Sequence, residues 1–293
     1  MSRLNQQLRL PDGRRLGYNE YGPPDGAPLF YFHGAPTARL EFELYGSETL
    51  LQSLQVRVIA ADRPGMGLSD FQPGRRLLDW PTDVLALADH LKIERFPILA
   101  YSLGGPCGAA CAFAIPQRLT KVGLVSAYAP LNNPEIASSI NAETRRFLQM
   151  HEQPLISSLF MSLMGWMTRV APGRLVATAA SVLPEPDRRL MSDAAFLKGF
   201  LVMVKEAMRQ GPRGALHESY LAGADWGFRP QDIRLPVLLW HGEADRNAPI
   251  AMGRYLANAI PHNQARFYPG EGHLSLFKKH IAEVIRTLCL TRK

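Results

Sequence analysis

Ser102 has the sequence context of a serine nucleophile. It lies in the pentapeptide Ala-Tyr-Ser-Leu-Gly at 100–104, directly after the apolar run 96–101 and just before the small-residue stretch 105–114. This pattern predicts a strand, a tight turn crowded by small neighbours, and a helix. Such a turn lifts the serine Oγ clear of the sheet and points the next backbone N–H at any oxyanion that forms. The chemistry indicated is nucleophilic attack by Ser102.

Two loops further along the chain supply an acid and a base. The apolar strand at 236–240 precedes His-Gly-Glu-Ala-Asp, which places Asp245 just after the carboxyl end of a strand. A short strand at 264–268 precedes Pro-Gly-Glu-Gly-His, a glycine-flanked loop that presents His273 before the last helix. Serine is a weak nucleophile at neutral pH, so the histidine is expected to take its proton while the aspartate holds the other ring N–H.

Two upstream loops complete the pattern. The apolar strand at 29–32 runs into His-Gly-Ala-Pro at 33–36, which is suited to offering a backbone N–H opposite the serine. The strand at 56–61 ends in Asp-Arg-Pro-Gly-Met-Gly-Leu-Ser-Asp at 62–70. The order Ser, Asp, His is that of the α/β-hydrolase triad. Together these motifs resemble the α/β-hydrolase superfamily, and more narrowly its branch with an HGxP loop and a helical cap, which includes esterases, proline iminopeptidases, epoxide hydrolases and dehalogenases.

The resemblance implies an oxyanion hole formed by the backbone N–H groups of Ala35 and Leu103. Each such donor typically lowers the barrier by roughly 2.7–4 kcal/mol. Ala35 is then needed for the position of its N–H and not for its side chain. Relatives often carry glycine after the proline of this loop, whereas this chain has Thr37, so the path of the loop is left open.

Asp245 is preferred over other acids as the third member of the triad. In some relatives the acid follows the strand before the cap. Here no Asp or Glu follows the strand at 122–126 until Glu135. Glu243, two residues before Asp245, remains the alternative.

Apolar runs alternate with helical stretches through most of the chain. A hairpin is predicted at 8–18. The strands that follow it are expected at 28–33, 56–61, 96–101, 121–126, 236–241 and 264–268. Helices are expected near 39–54, 79–92, 103–115, 250–260 and 274–289. Strands this rich in Val, Ile, Leu and Phe are buried on both faces, so we expect a mostly parallel sheet with helices on both sides. The resemblance implies that this sheet has eight strands and the α/β-hydrolase fold.

The alternation breaks only at 130–230, where no strand pattern is found. We therefore expect an α/β core at 1–129 and 231–293, interrupted by a helical cap at 130–230. The insert lies between two buried strands, and open α/β sheets bind ligands at the carboxyl ends of their strands. The cap is therefore expected to cover Ser102.

The substrate pocket is expected between the cap and the serine. His33 and His241 lie at strand ends near the site and are assigned hydrogen-bonded orienting roles. Flexible apolar side chains of the cap would favour loosely specified apolar substrates. The residues expected to line the pocket are His33, Tyr101, Trp166, Phe196, Phe200 and Met203, with Phe160, Met161 and Met164 as further members of the cap face.

Composition narrows the class of protein. The chain has 293 residues, 46% of them hydrophobic, which is enough for one large core and an insert. Its formal charge of +7 comes from scattered Lys and Arg without a basic stripe, so no nucleic-acid partner is expected. No apolar run approaches the roughly 20 residues of a membrane span. Residues 1–10 are polar and the cysteines number three, so we expect a cytoplasmic protein without a secretory signal.

A serine nucleophile restricts the reaction to acyl transfer. Attack by Ser102 at an sp³ carbon would leave a serine ether with no carbonyl for water to attack, which excludes epoxide-hydrolase and dehalogenase chemistry. The expected function is a carboxylesterase-like serine hydrolase acting on a small to medium apolar acyl compound, with no metal or organic cofactor. Hydrolysis of esters, thioesters, lactones, amides or C–C bonds stays open, and perhydrolysis is an allowed side activity.

Two other functions are left open. A proline iminopeptidase would need a cap carboxylate to hold the substrate amine, and the usual H-G-G-P-G loop is lacking. The candidates for that carboxylate are Glu135, Glu143, Glu152, Glu206 and Glu218. A non-catalytic ligand-binding protein on the same fold would typically have lost a triad member. A small molecule is the expected partner, and a homodimer is left open.

Overall fold

The computed structural model of the chain describes residues 2–140, 142–149, 153–170 and 183–290. Within these residues, one sheet contains eight strands in the order β1-β2-β4-β3-β5-β6-β7-β8. They are β1 (Arg3–Arg9), β2 (Arg15–Tyr21), β3 (Ala27–Phe32), β4 (Val56–Ala61), β5 (Phe96–Tyr101), β6 (Leu119–Val125), β7 (Val237–Gly242) and β8 (Asn263–Tyr268). The pairs β1–β2 and β2–β4 are antiparallel and the other five pairs are parallel, which confirms the mostly parallel sheet predicted from the sequence.

The central strands are apolar because helices cover both of their faces. Every residue of β5 is buried, whereas β8 at the sheet edge keeps exposed positions. The core helices are α1 (Phe42–Tyr45), α2 (Glu48–Leu54), α3 (Trp80–His90), α4 (Gly104–Ala114), α11 (Ile250–Ala259) and α12 (His273–Cys289). In parallel strands the carboxyl ends meet at one edge, so the loops after β3, β5, β7 and β8 converge there.

The helical stretch predicted at 39–54 is broken in the structure. A 3₁₀ turn at Arg39–Glu41 leads into α1, which stops where Gly46 adopts extended backbone. The helix restarts as α2 because the Ser47 side chain accepts a hydrogen bond from the Leu50 N–H. Helical structure is therefore present at 39–54 as expected, but in three short pieces, and the first of them holds Glu41 beside the loop after β3.

Between β6 and β7 the described residues form helices and no strand. These are α5 (Pro134–Ser139), α6 (Ala142–Gln149), α7 (Pro154–Val170), α8 (Glu185–Ser192), α9 (Ala194–Ala207) and α10 (Arg213–Gly223). From this segment Met191, Phe196 and Met203 join the apolar cluster that α1 and α12 form on one face of the sheet. The segment is therefore packed against the core through α8 and α9.

Candidate active site

Ser102 occupies the turn between β5 and α4. Its backbone φ is 55°, a left-handed conformation that is rare for serine and persists only where the surroundings fix it. The fixing contacts are backbone hydrogen bonds: the Ser102 N–H donates to the Val125 carbonyl at 3.0 Å, and the Ser102 carbonyl accepts from the Gly105 N–H at 2.9 Å. The strained turn expected of a serine nucleophile is thus built by β6 on one side and α4 on the other.

Small residues around this turn have steric reasons to be small. A Cβ added to Gly104 would lie 2.4 Å from the Phe32 carbonyl oxygen, so only glycine lets the turn approach β3. At the first position of the motif, Ala100 stands where glycine is usual. A Cβ added to Gly108 would lie 2.7 Å from the Ala100 Cβ, so a glycine on α4 makes room for the alanine on β5.

Ser102, His273 and Asp245 lie within hydrogen-bond distance of one another in series. The His273 Nε2 is 3.0 Å from the Ser102 Oγ, and its Nδ1 is 2.8 Å from the Asp245 Oδ2. The other carboxylate oxygen, Oδ1, accepts the N–H groups of Asn247 and Ala248 at 2.9 Å each. Because an ionised carboxylate can only accept, the proton of the neutral ring belongs on Nδ1, and Nε2 is free to accept the serine proton.

The three side chains are buried, with Ser102, His273 and Asp245 only 6%, 4% and 5% exposed. Burial by itself would disfavour a charged imidazole. The negative charges of Asp245, and more weakly of Asp187 and Glu41, outweigh that effect and raise the pKa of His273 above its ordinary value of 6.5. The site therefore favours an imidazolium, the state that the ring would reach after taking the serine proton.

Glu243, the alternative to Asp245 as the acid of the triad, does not contact His273. The Glu243 side chain is exposed and faces Arg254 at 4.0 Å. His241 supports the Asp245 loop instead of the reacting groups, because its Nε2 lies 2.7 Å from the Ala248 carbonyl oxygen. The structure thus brings Asp245, and not Glu243, to His273.

The loop after β3 lies directly beside the serine. A Cβ added to Gly34 would be 3.2 Å from the Ser102 Cβ and 3.5 Å from its Oγ. The Gly34 N–H is already engaged, since it donates to Glu41 Oε2 at 2.7 Å. The N–H of the next residue, Ala35, is left as this loop's candidate donor to an oxyanion. Leu103, at the N-terminal end of α4, is the candidate on the other side.

His33 braces this loop and does not reach into a pocket. It is fully buried; its Nδ1 lies 2.7 Å from the Gly34 carbonyl oxygen, and its Nε2 accepts the Arg63 N–H at 3.1 Å. Burial and the nearby Arg63 charge hold the pKa of His33 well below its ordinary value, so the ring is neutral. Both ring nitrogens contact backbone groups. These contacts fit the orienting role expected of His33, and its full burial does not fit a position lining the pocket.

A buried ion cluster of Arg63, Arg75 and Glu218 also fixes the loop after β3. It was not predicted from the sequence. Arg63 donates to the carbonyls of His33 and Gly34, and its Nε donates to Glu218 on α10 at 2.7 Å. The second oxygen of Glu218 accepts from Arg75. The side chains of Arg63 and Arg75 are fully buried and that of Glu218 nearly so. The Asp-Arg-Pro sequence after β4 is the only local signal of this cluster.

Other expected pocket residues have different surroundings. Tyr101 lies behind His273: its hydroxyl donates to the His273 carbonyl at 3.1 Å, and the two rings are 5.1 Å apart. Phe196 packs on Tyr45 with ring centroids 6.1 Å apart. Trp166 lies on α7 and is 57% exposed, and its expected place in the pocket stays a prediction.

The other residues expected in the pocket belong to the same segment between β6 and β7. Met203 is buried in the cluster against α1 and α12, and Phe200 packs partly buried against it. Phe160 is 51% exposed on α7. The side chains of Met161 and Met164 lie outside the described residues.

An open groove of about 1240 Å³ runs between α8 and α9 on one side and α1 and α12 on the other. Phe196 lines it together with several Lys and Glu side chains, but Ser102 does not. Ser275 of α12 lines the groove, which therefore lies near the helix that begins at His273 but is not lined by Ser102, Asp245 or His273.

Two of the carboxylates considered for binding an amine are already paired with arginines. Glu218 is held between Arg63 and Arg75, and Glu206 accepts from Arg39 at 2.8 Å. The side chains of the other three candidates, Glu135, Glu143 and Glu152, lie outside the described residues.

The described residues contain neither a cluster suited to a metal ion nor a helix suited to spanning a membrane. In the part of the chain that the structure describes, no group of three or more His, Cys, Asp or Glu side chains could hold a metal ion. Over the same residues, no helix combines the length and the apolar character that crossing a membrane requires.

Residues 27–280 match the family model described as the alpha/beta hydrolase fold, and the protein belongs to this family. Over 123 residues it is 35% identical to a non-heme chloroperoxidase of Streptomyces lividans, covering 41% of this chain but only 44% of that protein. Over 272 residues it is 24% identical to a bifunctional esterase/perhydrolase of Acinetobacter calcoaceticus, covering 89% and 90% of the two chains. A hydrolase from Pseudomonas aeruginosa PA01 shares the fold with a TM-score of 0.73 at 22% identity, covering 98% of each chain. The superfamily and fold predicted from the sequence are confirmed.

Proposed function

We propose that this protein is a serine hydrolase that cleaves ester or related acyl bonds of small to medium apolar substrates. The observation that carries the proposal is the buried series of hydrogen bonds from the Ser102 Oγ through His273 to Asp245. Membership of the α/β-hydrolase family and similarity to an esterase/perhydrolase support it. A non-catalytic binding protein would have no need of this intact series.

Acylation follows from the geometry. The Ser102 Oγ attacks the substrate carbonyl carbon while its proton passes to the His273 Nε2. Asp245 accepts the Nδ1–H and stabilises the imidazolium. The backbone N–H groups of Ala35 and Leu103 donate to the oxyanion of the tetrahedral intermediate. The intermediate collapses when the leaving group takes the proton from Nε2, which leaves an acyl ester on Ser102.

Deacylation uses the same groups in reverse. A water molecule attacks the acyl carbonyl and gives its proton to the His273 Nε2. The second tetrahedral intermediate then releases the carboxylic acid as Ser102 recovers its proton. The pKa of His273, raised by neighbouring carboxylates, favours the ring as a proton acceptor in both halves of the cycle.

The same proposal includes the finer architecture. We assign a core at 1–129 and 231–293 and a cap at 130–230, supported by the run of helices between β6 and β7. The His-Gly-Ala-Pro loop beside the serine supports the HGxP-loop branch of the family. A cytoplasmic location is supported by three free cysteines, none of them in a disulfide.

The proposal is tested with a panel of p-nitrophenyl esters from acetate to octanoate, run beside aminoacyl-p-nitroanilides that include prolyl. We expect butyrate to octanoate to exceed acetate in kcat/KM, because each buried methylene contributes about 0.8 kcal/mol. Charged acyl groups should react poorly. A strong preference for N-terminal prolyl anilides would instead establish the iminopeptidase.

Variants of the three residues test the mechanism. Ser102→Ala and His273→Ala should each lower kcat by several orders of magnitude in a folded protein, and the double variant should lose little more. Asp245→Asn should be much slower, since an amide favours the wrong imidazole tautomer. Glu243→Gln is the matched control. Normal turnover by Ser102→Ala, or a crippled Glu243→Gln beside an active Asp245→Asn, would contradict the assignments.

A further inference from the structure

Asp187 is a fully buried carboxylate of the inserted segment that touches the backbone of the catalytic histidine. It lies in α8, in the first turn of that helix. Its Oδ2 accepts the His273 N–H at 2.8 Å. Its Oδ1 accepts the N–H groups of Leu274 at 3.1 Å and Ser275 at 2.9 Å. One carboxylate thus accepts three successive backbone N–H groups.

These three N–H groups are among those that a helix cannot satisfy internally. They belong to the first three residues of α12. The first N–H groups of a helix are usually capped by the side chain of the residue that precedes the helix. Here that residue is Gly272, which has no side chain to offer. A Cβ at Gly272 would lie 2.5 Å from the carboxyl carbon and both oxygens of Asp187. The glycine therefore leaves the space that Asp187, 85 residues earlier, fills as the cap.

We infer that Asp187 is a positioning residue for the proposed hydrolysis: by fixing the backbone of His273, it sets the imidazole between Ser102 and Asp245. The inference rests on the proposed function and adds a role for the inserted segment beyond covering the site. His273 is the first residue of α12, so any shift in the start of this helix moves the ring that must meet the Ser102 Oγ. The contact that holds α8 on the core therefore also sets the position of the imidazole for proton transfer.

Charge provides a second effect of the same residue. The imidazole of His273 is faced from several elements by ionisable groups. These are Asp245 and His241 from β7 and its loop, Glu41 before α1, Tyr101 from β5, and Asp187 from α8. Asp187 contributes negative charge and favours the imidazolium. Replacing it with a neutral side chain should lower the pKa of His273, so the ring would stay neutral, and active as a base, to lower pH.

The test compares Asp187→Asn with Glu185→Gln in the full chain, using the best ester of the panel. Glu185 lies two residues away on α8, is exposed, and pairs only with Arg188 and Arg189. For Asp187→Asn we expect kcat to fall by about 10²-fold, the effect of a misplacement near 1 Å, with KM changed far less. The acid limb of kcat/KM should also move to lower pH. Glu185→Gln should keep the kcat and the acid limb of the unaltered protein.

Gly272→Ala disturbs the same contact without removing the charge. The added methyl group would displace the Asp187 carboxylate, so kcat should fall as in Asp187→Asn. This variant carries the test if Asp187→Asn does not fold, with folding followed by circular dichroism. Unchanged kcat in a folded Gly272→Ala protein would overturn the positioning role.

Titration of His273 by NMR in histidine-labelled protein separates the two proposals. If the unaltered protein hydrolyses no ester or anilide, the proposed function fails, yet the imidazole pKa can still be read. A pKa of His273 that is lower in Asp187→Asn than in Glu185→Gln supports the inference. Equal imidazole pKa values in these variants would overturn it, whatever the activity.

Discussion

Glu218→Gln is expected to destabilise the folded state and to loosen the loop after β3, which Arg63 supports. Glu218 sits between two fully buried guanidinium groups, Arg63 and Arg75, and is itself nearly inaccessible to water. The substitution keeps the size of the side chain but removes the negative charge. Two buried positive charges would then face each other without their counter-ion.

The size of the effect follows from burial. Removing one partner of a buried ion pair costs about 3–5 kcal/mol of unfolding free energy, because the remaining charge stays desolvated. Arg75 has no other acceptor to replace Glu218 among the described residues, since its Nε and Nη1 are buried there without a hydrogen-bond partner. We therefore expect a loss of about 3–5 kcal/mol for Glu218→Gln, measured by urea unfolding at pH 7.

Glu185→Gln is the matched control. Glu185 also accepts hydrogen bonds from two arginines, Arg188 and Arg189, but its side chain is 48% exposed. Water screens such pairs, so its substitution should change the unfolding free energy far less. Equal losses in the two variants would refute the reasoning from burial.

The pH dependence gives the argument a second check. Burial alone would raise the pKa of Glu218, but the charges of Arg63 and Arg75 outweigh it and hold the pKa below its ordinary value of 4.5. A carboxyl with a depressed folded-state pKa stabilises the protein above its unfolded pKa and loses that contribution as the pH falls through the folded value. The difference between the unaltered protein and Glu218→Gln should therefore be full above pH 4.5 and shrink in acid below it. A difference that grows in acid would show that another group is responsible.

Two further outcomes are expected. The kcat/KM for an ester should fall as the pH drops through a value above 6.5, because His273 must be neutral to act as a base and its pKa is raised; a limb below 6.5 in the rate profile would contradict this assignment. Gly34→Ala should lower kcat by about 10²-fold with little change in Tm, since its Cβ would crowd the nucleophile. The control is Gly223→Ala, where an added Cβ meets nothing within 4 Å, and equal kcat in the two variants would count against the placement of the loop.

The sheet was predictable because its signal is local. Strands covered by helices on both faces must be apolar throughout, and the fully buried β5 matches the run predicted at 96–101. The loops that hold Ser102, Asp245 and His273 also carry local marks, namely small residues and glycines next to the reacting side chain. The break at Gly46 was not predicted, although Gly46 and the capping Ser47 are local signals of a helix end and a new helix start.

The direction in which an apolar face points was not predictable. Phe160 and Trp166 are more than half exposed on α7, and their expected position over the serine stays a prediction. Periodicity identifies which side of a helix is apolar but not which element it turns towards. Ion pairs between residues distant in sequence could not be predicted either. Arg63 and Glu218 are 155 positions apart, and no local motif links them.

Three acidic residues of the segment between β6 and β7 bind groups of the core. Asp187 caps the helix that begins at His273, and Glu218 holds the arginine that supports the loop after β3. Glu206 pairs with Arg39, whose guanidinium also binds the buried Asp62 after β4. Under the proposed function, a substitution at any of these acids would act through the part of the core that it supports, and so on kcat, whereas a change in an apolar residue of the proposed cap would act on KM. The two kinds of variant are therefore distinguished by measuring both constants and not kcat/KM alone.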